Sequence, residues 1–397
     1  MNPRLQTRLT PLACARALTG AGGLSFLDSS LPGPGTISLV AAQPDLVLAG
    51  NDWNQLENEL ARRRRPGPDL GYPDGAAIGW IGFDGTFRFA FHEKVHIFLH
   101  ETDCWIVEPD VTEMVPARLP TAIDFSPRIG RDEFVSMVAR AREFIAAGDI
   151  YQVCLAHPFL AETEADPWTY YEQLRHYSPA PYSAYLDSGD LRIASASPEC
   201  FLRMSGRTIS TSPIKGTRPR RADPHSDRRS AYDLITSPKE IAELVMITDL
   251  ERNDLGKVCE YGSVTVTELL RLEQFEQVFH LVSKVTGQLR PEVSHPAALR
   301  ACFPGGSISG APKKRAIEII RALEPFDRGL YTGAIGYFGF NGESQFSIAI
   351  RTAVFEKCQA SFHVGAGIVA DSDPGMEWQE TLDKARGLLL AAGQSGE

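Results

Sequence analysis

Apolar residues recur at helical spacing between Arg131 and Ala147, where Phe134, Met137, Val138, Ala141, Phe144 and Ile145 share a face and Gly148 supplies a stop. A helix is predicted there, a strand over Tyr151 to Phe159, and a second helix from Pro167 to about Tyr177. Pro238 to Leu250 reads as a third helix with proline in its first turn, placing Glu240 and Glu243 beside Ile247 and leaving Ile241, Leu244, Val245 and Thr248 on another face. A last helix spans about Gly375 to Ala392, with Trp378, Leu382, Ala385 and Leu389 packed and Glu377, Glu380 and Lys384 beside them. Alternation over Glu199 to Met204 and Arg207 to Thr211, around Ser205 and Gly206, predicts a hairpin, and an alternating run from Leu191 leads into Glu199.

The first 120 residues or so alternate short apolar runs, such as Thr36 to Ala42 and Val95 to Leu99, with turn signals at Leu31 to Gly35 and Arg62 to Pro68. Gly75 to Gly85 is glycine-rich without a G-x-G-x-x-G pattern, so its glycines predict close strand packing and not a phosphate cradle. Pro116 to Pro127 reads as a connection. The predicted fold class is α+β: residues 1–120 mainly strands and loops, residues 121–397 a catalytic region, the two integrated in one structural domain.

Composition narrows the partners. With 397 residues, 43% hydrophobic, the chain can bury a large core, and a formal charge of −10 argues against nucleic acid. No run reaches the roughly 18 apolar residues of a membrane helix, and the start, Met1 to Arg8, has no apolar block, so a cytoplasmic protein without a membrane partner is expected. Seven cysteines without a close pair suggest neither a disulfide framework nor a zinc site.

Several residues carry candidate chemistry. Pro213 and Gly216 restrict the backbone around Lys215, which is read as lying on a rigid turn; with Arg218, Arg220 and Arg221 it forms either a solvated basic loop or the setting of a catalytic amine. Glu199 is either a polar strand end or an acid whose pKa burial would raise. His280 interrupts an apolar run, as a packing residue or a catalytic one. Arg351 follows an alternating strand and is suited to gripping a carboxylate, and Tyr331 precedes another strand. Glu243 and Glu380, on two helices, are either exposed ion-pairing groups or, if the helices converge, ligands for a hard cation such as Mg²⁺. Phe303 to Lys313 has Walker-like glycines at 305 and 310, but Ala311 and Pro312 stand where Lys and Ser or Thr would be required. Val364 to Ile368 would bring backbone close to a flat ligand or form a structural turn.

Taken in order, Asp149 to Ala156, Ser197-Pro198-Glu199, Pro213 to Thr217, Asp249 to Gly256, Phe303 to Lys313, Ile350-Arg351-Thr352 and Gly365 to Asp371 resemble the chorismate-utilising enzymes over about residues 130–392. Phe26 to Ser30 and Gly79 to Asp84 resemble the family more loosely. The resemblance implies antiparallel sheets packed around a deep active site with helices outside, holding chorismate and Mg²⁺. It implies Glu243 and Glu380 as metal ligands, Glu199 as the acid for the departing hydroxyl, and Arg351 with Tyr331 as anchors of the enolpyruvyl carboxylate. Thr217, Ser307, Gly365 and Lys384 would complete the substrate shell, and His280 would lie against the ring.

Two positions choose among family members. Those that add water to chorismate are similar but carry a lysine base where Gln152 stands, and glutamine cannot deprotonate water, so ammonia is the expected nucleophile. Anthranilate-forming members usually have alanine where Lys215 stands; the branch that aminates C4 without losing pyruvate has lysine, and Gly305 to Ile308 also resembles that branch. Lys215 is then expected to be a covalent nucleophile, its pKa brought down from about 10.4 by desolvation or by a cation such as Arg218. None of the seven cysteines stands in a G-x-C-x-G elbow, so a separate glutamine amidotransferase subunit is expected to supply the ammonia. The alternatives are an anthranilate-forming enzyme and an inactive chorismate-binding subunit. Cys154, where related sequences often have Asn, and His157-Pro158, where they have Gln-Arg, depart from the pattern, and Phe26 to Ser30 with Pro181 to Ser183 would form any aromatic amino-acid site.

Overall fold

The computed structural model describes residues 9–33, 35–65, 70–111, 115–274 and 278–395. The opening residues and parts of the turn signals at Leu31 to Gly35 and Arg62 to Pro68 lie outside them. The described strands form two antiparallel sheets. One runs Gly310–Ala311, Gln152–Glu162, Gln359–Ile368, Thr352–Glu356, Leu191–Ser197, Tyr182–Ser188, Ser25–Asp28, Ile37–Ala41, His96–Leu99, Cys104–Val107. The other runs Ile214–Pro219, Val278–Gln288, Thr208–Ser212, Cys200–Ser205, Glu343–Ile348, Ala334–Gly339, Ala76–Ile81, Phe87–His92, Leu46–Gly50, with Thr265–Gln274 on the free side of Val278–Gln288.

Strands from the first 120 residues are hydrogen-bonded into both sheets, Ser25–Asp28 against Tyr182–Ser188 and Ala76–Ile81 against Ala334–Gly339. Leu39, Leu186 and Ile193 of one sheet meet Ile78, Ile335 and Tyr337 of the other in one buried cluster, so the sheets pack face to face. Helices cover the outer faces: Pro167–Tyr177 and Pro374–Ala391 contribute to one outer cluster, Arg131–Ala146 and Lys313–Leu323 to another.

The hairpin predicted around Ser205 and Gly206 is present, pairing Met204 with Ile209. The glycine-rich stretch packs closely, since a Cβ at Gly79 would stand 1.9 Å from the Arg88 carbonyl oxygen. Two readings need correction. The helix expected to end at Leu250 runs as Pro238–Gly256, because Leu244, Ile247, Thr248, Glu251 and Leu255 form one buried stripe, while Val245 is 43% exposed. Lys215 lies in the strand Ile214–Pro219 and not on a turn; its ladder slips between Lys215 and Thr217, where Gly216 takes φ +70°. A bulge and a turn use the same residue types, which is why the sequence did not separate them.

Candidate active site

Both sheets and two helices contribute to one cavity of about 550 Å³. Cys154 and the stretch Val364 to Gly367 come from neighbouring strands of the first sheet, and Lys215, Thr217 and His280 from the second. Pro238–Gly256 contributes Glu240 and Glu243, and Pro374–Ala391 contributes Glu380 and Lys384. Glu199, Ser307, Tyr331 and Arg351 enter from connecting segments, so the structure brings every site residue named from the sequence to one place. Glu199 is 6% exposed, and burial pushes its carboxyl up to about 7 against the pull of the Ser307 hydroxyl and Lys215. It can therefore hold a proton near neutrality.

Lys215 behaves differently from expectation. Its Nζ is 3.4 Å from Glu243 Oε2, and Arg218 pairs with Glu240 at 3.5 Å instead of crowding the lysine. Burial alone would lower the lysine's pKa, but the electrostatic influence of Cys154, Glu243, Glu199 and Glu380 outweighs it and raises it. In this form Lys215 is an ammonium.

The substrate-shell candidates are tied into the frame. His280 accepts or donates at Nδ1 with the Thr217 hydroxyl (2.9 Å), and burial brings its pKa down to about 4, so it is neutral. Tyr331 stacks on His363 (ring centroids 5.3 Å apart), and a Cβ at Gly365 would stand 2.8 Å from the Tyr331 hydroxyl. Lys384 Nζ donates to the Gly365 carbonyl (2.8 Å) and to Glu380 Oε1 (2.7 Å). Arg351, lining the cavity at φ +50°, has a pKa lowered by burial alone. A non-glycine residue in the left-handed region is costly, and such residues cluster at functional sites.

The two helices present Glu240, Glu243, Glu377 and Glu380, with Lys239 Nζ 4.0 Å from both Glu243 and Glu377. Glu377 Oε2 is buried without a hydrogen-bond partner among the described residues, and burial raises that carboxyl's pKa. Among the described residues no group of three or more His, Cys, Asp or Glu is placed to hold a metal on its own. A hard divalent ion fits this donor set only with oxygens from a ligand or water completing the shell, as Mg²⁺ usually requires. Glu240 and Glu377 were legible only as spacing partners of Glu243 and Glu380.

Sequence reasoning missed the support under the cavity. Arg328 and Glu324 form a buried pair at 2.7 Å, each side chain 2% exposed. Arg328 donates to the carbonyls of Cys154 (2.7 Å) and Ile308 (3.4 Å) and to the Thr332 hydroxyl (3.1 Å), and Glu324 accepts from the Ala156 amide (2.9 Å). This pair joins the Cys154 strand to the segments carrying Ser307 and Tyr331. An arginine four residues after a glutamate was its only trace in the sequence. His157 lies behind the site, stacked on Trp378 and hydrogen-bonded to Thr381 (2.9 Å). Leu27 to Ser29 and Pro181 to Ser183 do line a common pocket, but at about 40 Å³ it has room for little more than water.

A two-sheet α+β frame around a deep, charge-lined cavity is the class these features define. The family model for chorismate binding enzymes matches residues 92–390, and the chain belongs to that family. It is 45% identical over 279 residues to anthranilate synthase component 1 of Synechocystis sp., covering 68% of this chain and 55% of that one. It is 37% identical over 402 residues to aminodeoxychorismate synthase of Streptomyces griseus, covering 89% and 55%. The chain thus spans about half the length of these curated relatives. The crystal structure of anthranilate synthase component I from Streptococcus pneumoniae TIGR4 superposes with a TM-score of 0.80 at 31% identity, covering 90% of this chain and 93% of that one.

Proposed function

We infer that the chain aminates chorismate at C4 to give 4-amino-4-deoxychorismate, the reaction of an aminodeoxychorismate synthase, using ammonia from a separate glutaminase subunit. The observation that carries this reading is an amine, Lys215, inside the cavity beside Glu199 and Glu243. Arg351 and Lys384 suit the two carboxylates of chorismate. Glu199, protonated below about pH 7, donates to the C4 hydroxyl, which leaves as water, while the Lys215 ammonium gives one proton to solvent and the free amine so formed bonds to C2 as the ring double bonds shift. Ammonia then adds at C4, the double bonds shift back, and the lysine leaves C2. Mg²⁺ held by Glu243 and Glu380 would polarise the ring carboxylate and offset the negative charge that keeps Lys215 protonated. Gln152 supplies no base for water.

Intact-protein mass spectrometry with chorismate should show a covalent adduct that Lys215→Ala abolishes; an undiminished Lys215→Ala rate with ammonium would reject the covalent role. The second reading is anthranilate formation, favoured by the name of the 45% identical relative and by the ammonium state of Lys215. For the partner, glutamate release from glutamine by the purified chain alone would contradict the need for a glutaminase subunit.

A further inference from the structure

The mechanism above gives Cys154 no role, yet its surroundings set it apart from the other thiols. Cys14, Cys200, Cys259 and Cys302 are buried, and burial raises each of them to between about 11 and about 12, so they are inert. Cys104 is half-buried and Cys358 exposed, and neither lines the cavity; Cys154 does.

The strand register places Cys154 opposite Gly367, where residues directly paired stand about 4.5–5.5 Å apart. A Cβ on Gly367 would lie 3.6 Å from Lys215 Nζ and 3.1 Å from Gln152 Nε2, so the glycine opposite Cys154 keeps a side chain out of the space beside the lysine. Among the described residues Cys154 Sγ donates to the Ser307 carbonyl (3.4 Å) and accepts a long contact from Gln152 Nε2 (3.8 Å). Gln152 is fully buried, and its Oε1 has no partner among the described residues, so the amide whose Nε2 faces the sulfur keeps an unused acceptor.

We propose that Cys154 is a modification site at which small electrophiles and peroxide-class oxidants shut the cavity. A peroxide is attacked by the thiolate: the S–O bond forms, the O–O bond breaks, the sulfur is oxidised by two electrons, and hydroxide leaves with the thiol's proton as water. A haloacetamide is attacked at carbon, the C–S bond forming as halide departs. Either group occupies the space over Gly367 into which Lys215 projects. A thiol reductant restores the sulfenic acid but not the alkylated sulfur.

The test treats the full chain with hydrogen peroxide or iodoacetamide, with and without chorismate, and follows peptide mass and chorismate consumption together. The inference goes beyond the amination reading, since consumption is read whichever product forms. Cys154 should be modified with Cys358 as the exposed reference, chorismate should protect Cys154 but not Cys358, and consumption should fall at least about tenfold in step with Cys154 modification. Dithiothreitol should reverse the peroxide effect, and Cys154→Ser or Cys154→Ala should keep its own untreated rate after treatment. Cys154 remaining unmodified while Cys358 reacts would overturn the proposal, as would full modification of Cys154 with undiminished consumption. A chain that consumes no chorismate would fail the amination reading, while peptide masses and chorismate protection would still decide the modification.

Discussion

Glu199 holds its proton because it is buried, and its consequences are those of a raised carboxyl. With a pKa near 7, its acid form is present below neutrality and lost as pH rises, so turnover should fall on the alkaline side of about pH 7. Glu199→Gln should lower turnover by about 10²–10⁴-fold and remove that alkaline limb. A pH–rate profile of the two proteins with saturating chorismate checks this; an unchanged limb in the variant would assign it to another group. The place of Glu199 was legible from Ser197-Pro198-Glu199, but the charge state of Lys215 was not. That state depends on Glu243 and Glu380, which approach only once two helices far apart in sequence converge on the cavity.

The period-two and helical patterns identified most elements that hold the site because their burial faces are simple: Pro167–Tyr177 was legible from its proline and apolar spacing, and Pro374–Ala391 within a residue at each end. What escaped was irregular or long-range. The bulge at Gly216 arises from its ladder with Val278–Gln288, and the Arg328–Glu324 pair, only four residues apart, takes its role from bonds to Cys154, Ile308 and Ala156 that no local window contains. Arg328→Met should leave Glu324 as an uncompensated buried charge and lower stability by about 3–5 kcal/mol, read by urea denaturation. Stability within about 0.5 kcal/mol of wild type would show that the pair does not hold the Cys154 strand. Gly79→Ala should also destabilise, by about 1–3 kcal/mol, since its methyl would meet the Arg88 carbonyl oxygen of the next strand.

Across the whole molecule, buried acids set how stability follows pH. Glu251, 5% exposed and accepting from the Thr211 hydroxyl at 2.6 Å, is pushed by burial from 4.5 to about 8, with Glu199 and Asp254 adding to the rise and Thr211 and Lys313 opposing it. The folded chain keeps this proton after the unfolded chain has lost it, so its contribution is fully present below about pH 4.5 and is lost as pH rises through 8. Urea midpoints should therefore decline from pH 6 to pH 8 more steeply in wild type than in Glu251→Gln; equal slopes would place the dependence elsewhere. Among the described residues no helix is long and apolar enough to cross a membrane. The most direct test of the functional account incubates the purified chain with chorismate, Mg²⁺ and ammonium, with and without an added aminodeoxychorismate lyase, and identifies the product by chromatography. The account predicts a species that the lyase converts to para-aminobenzoate and no fluorescent anthranilate; anthranilate formed directly, without the lyase, would contradict it.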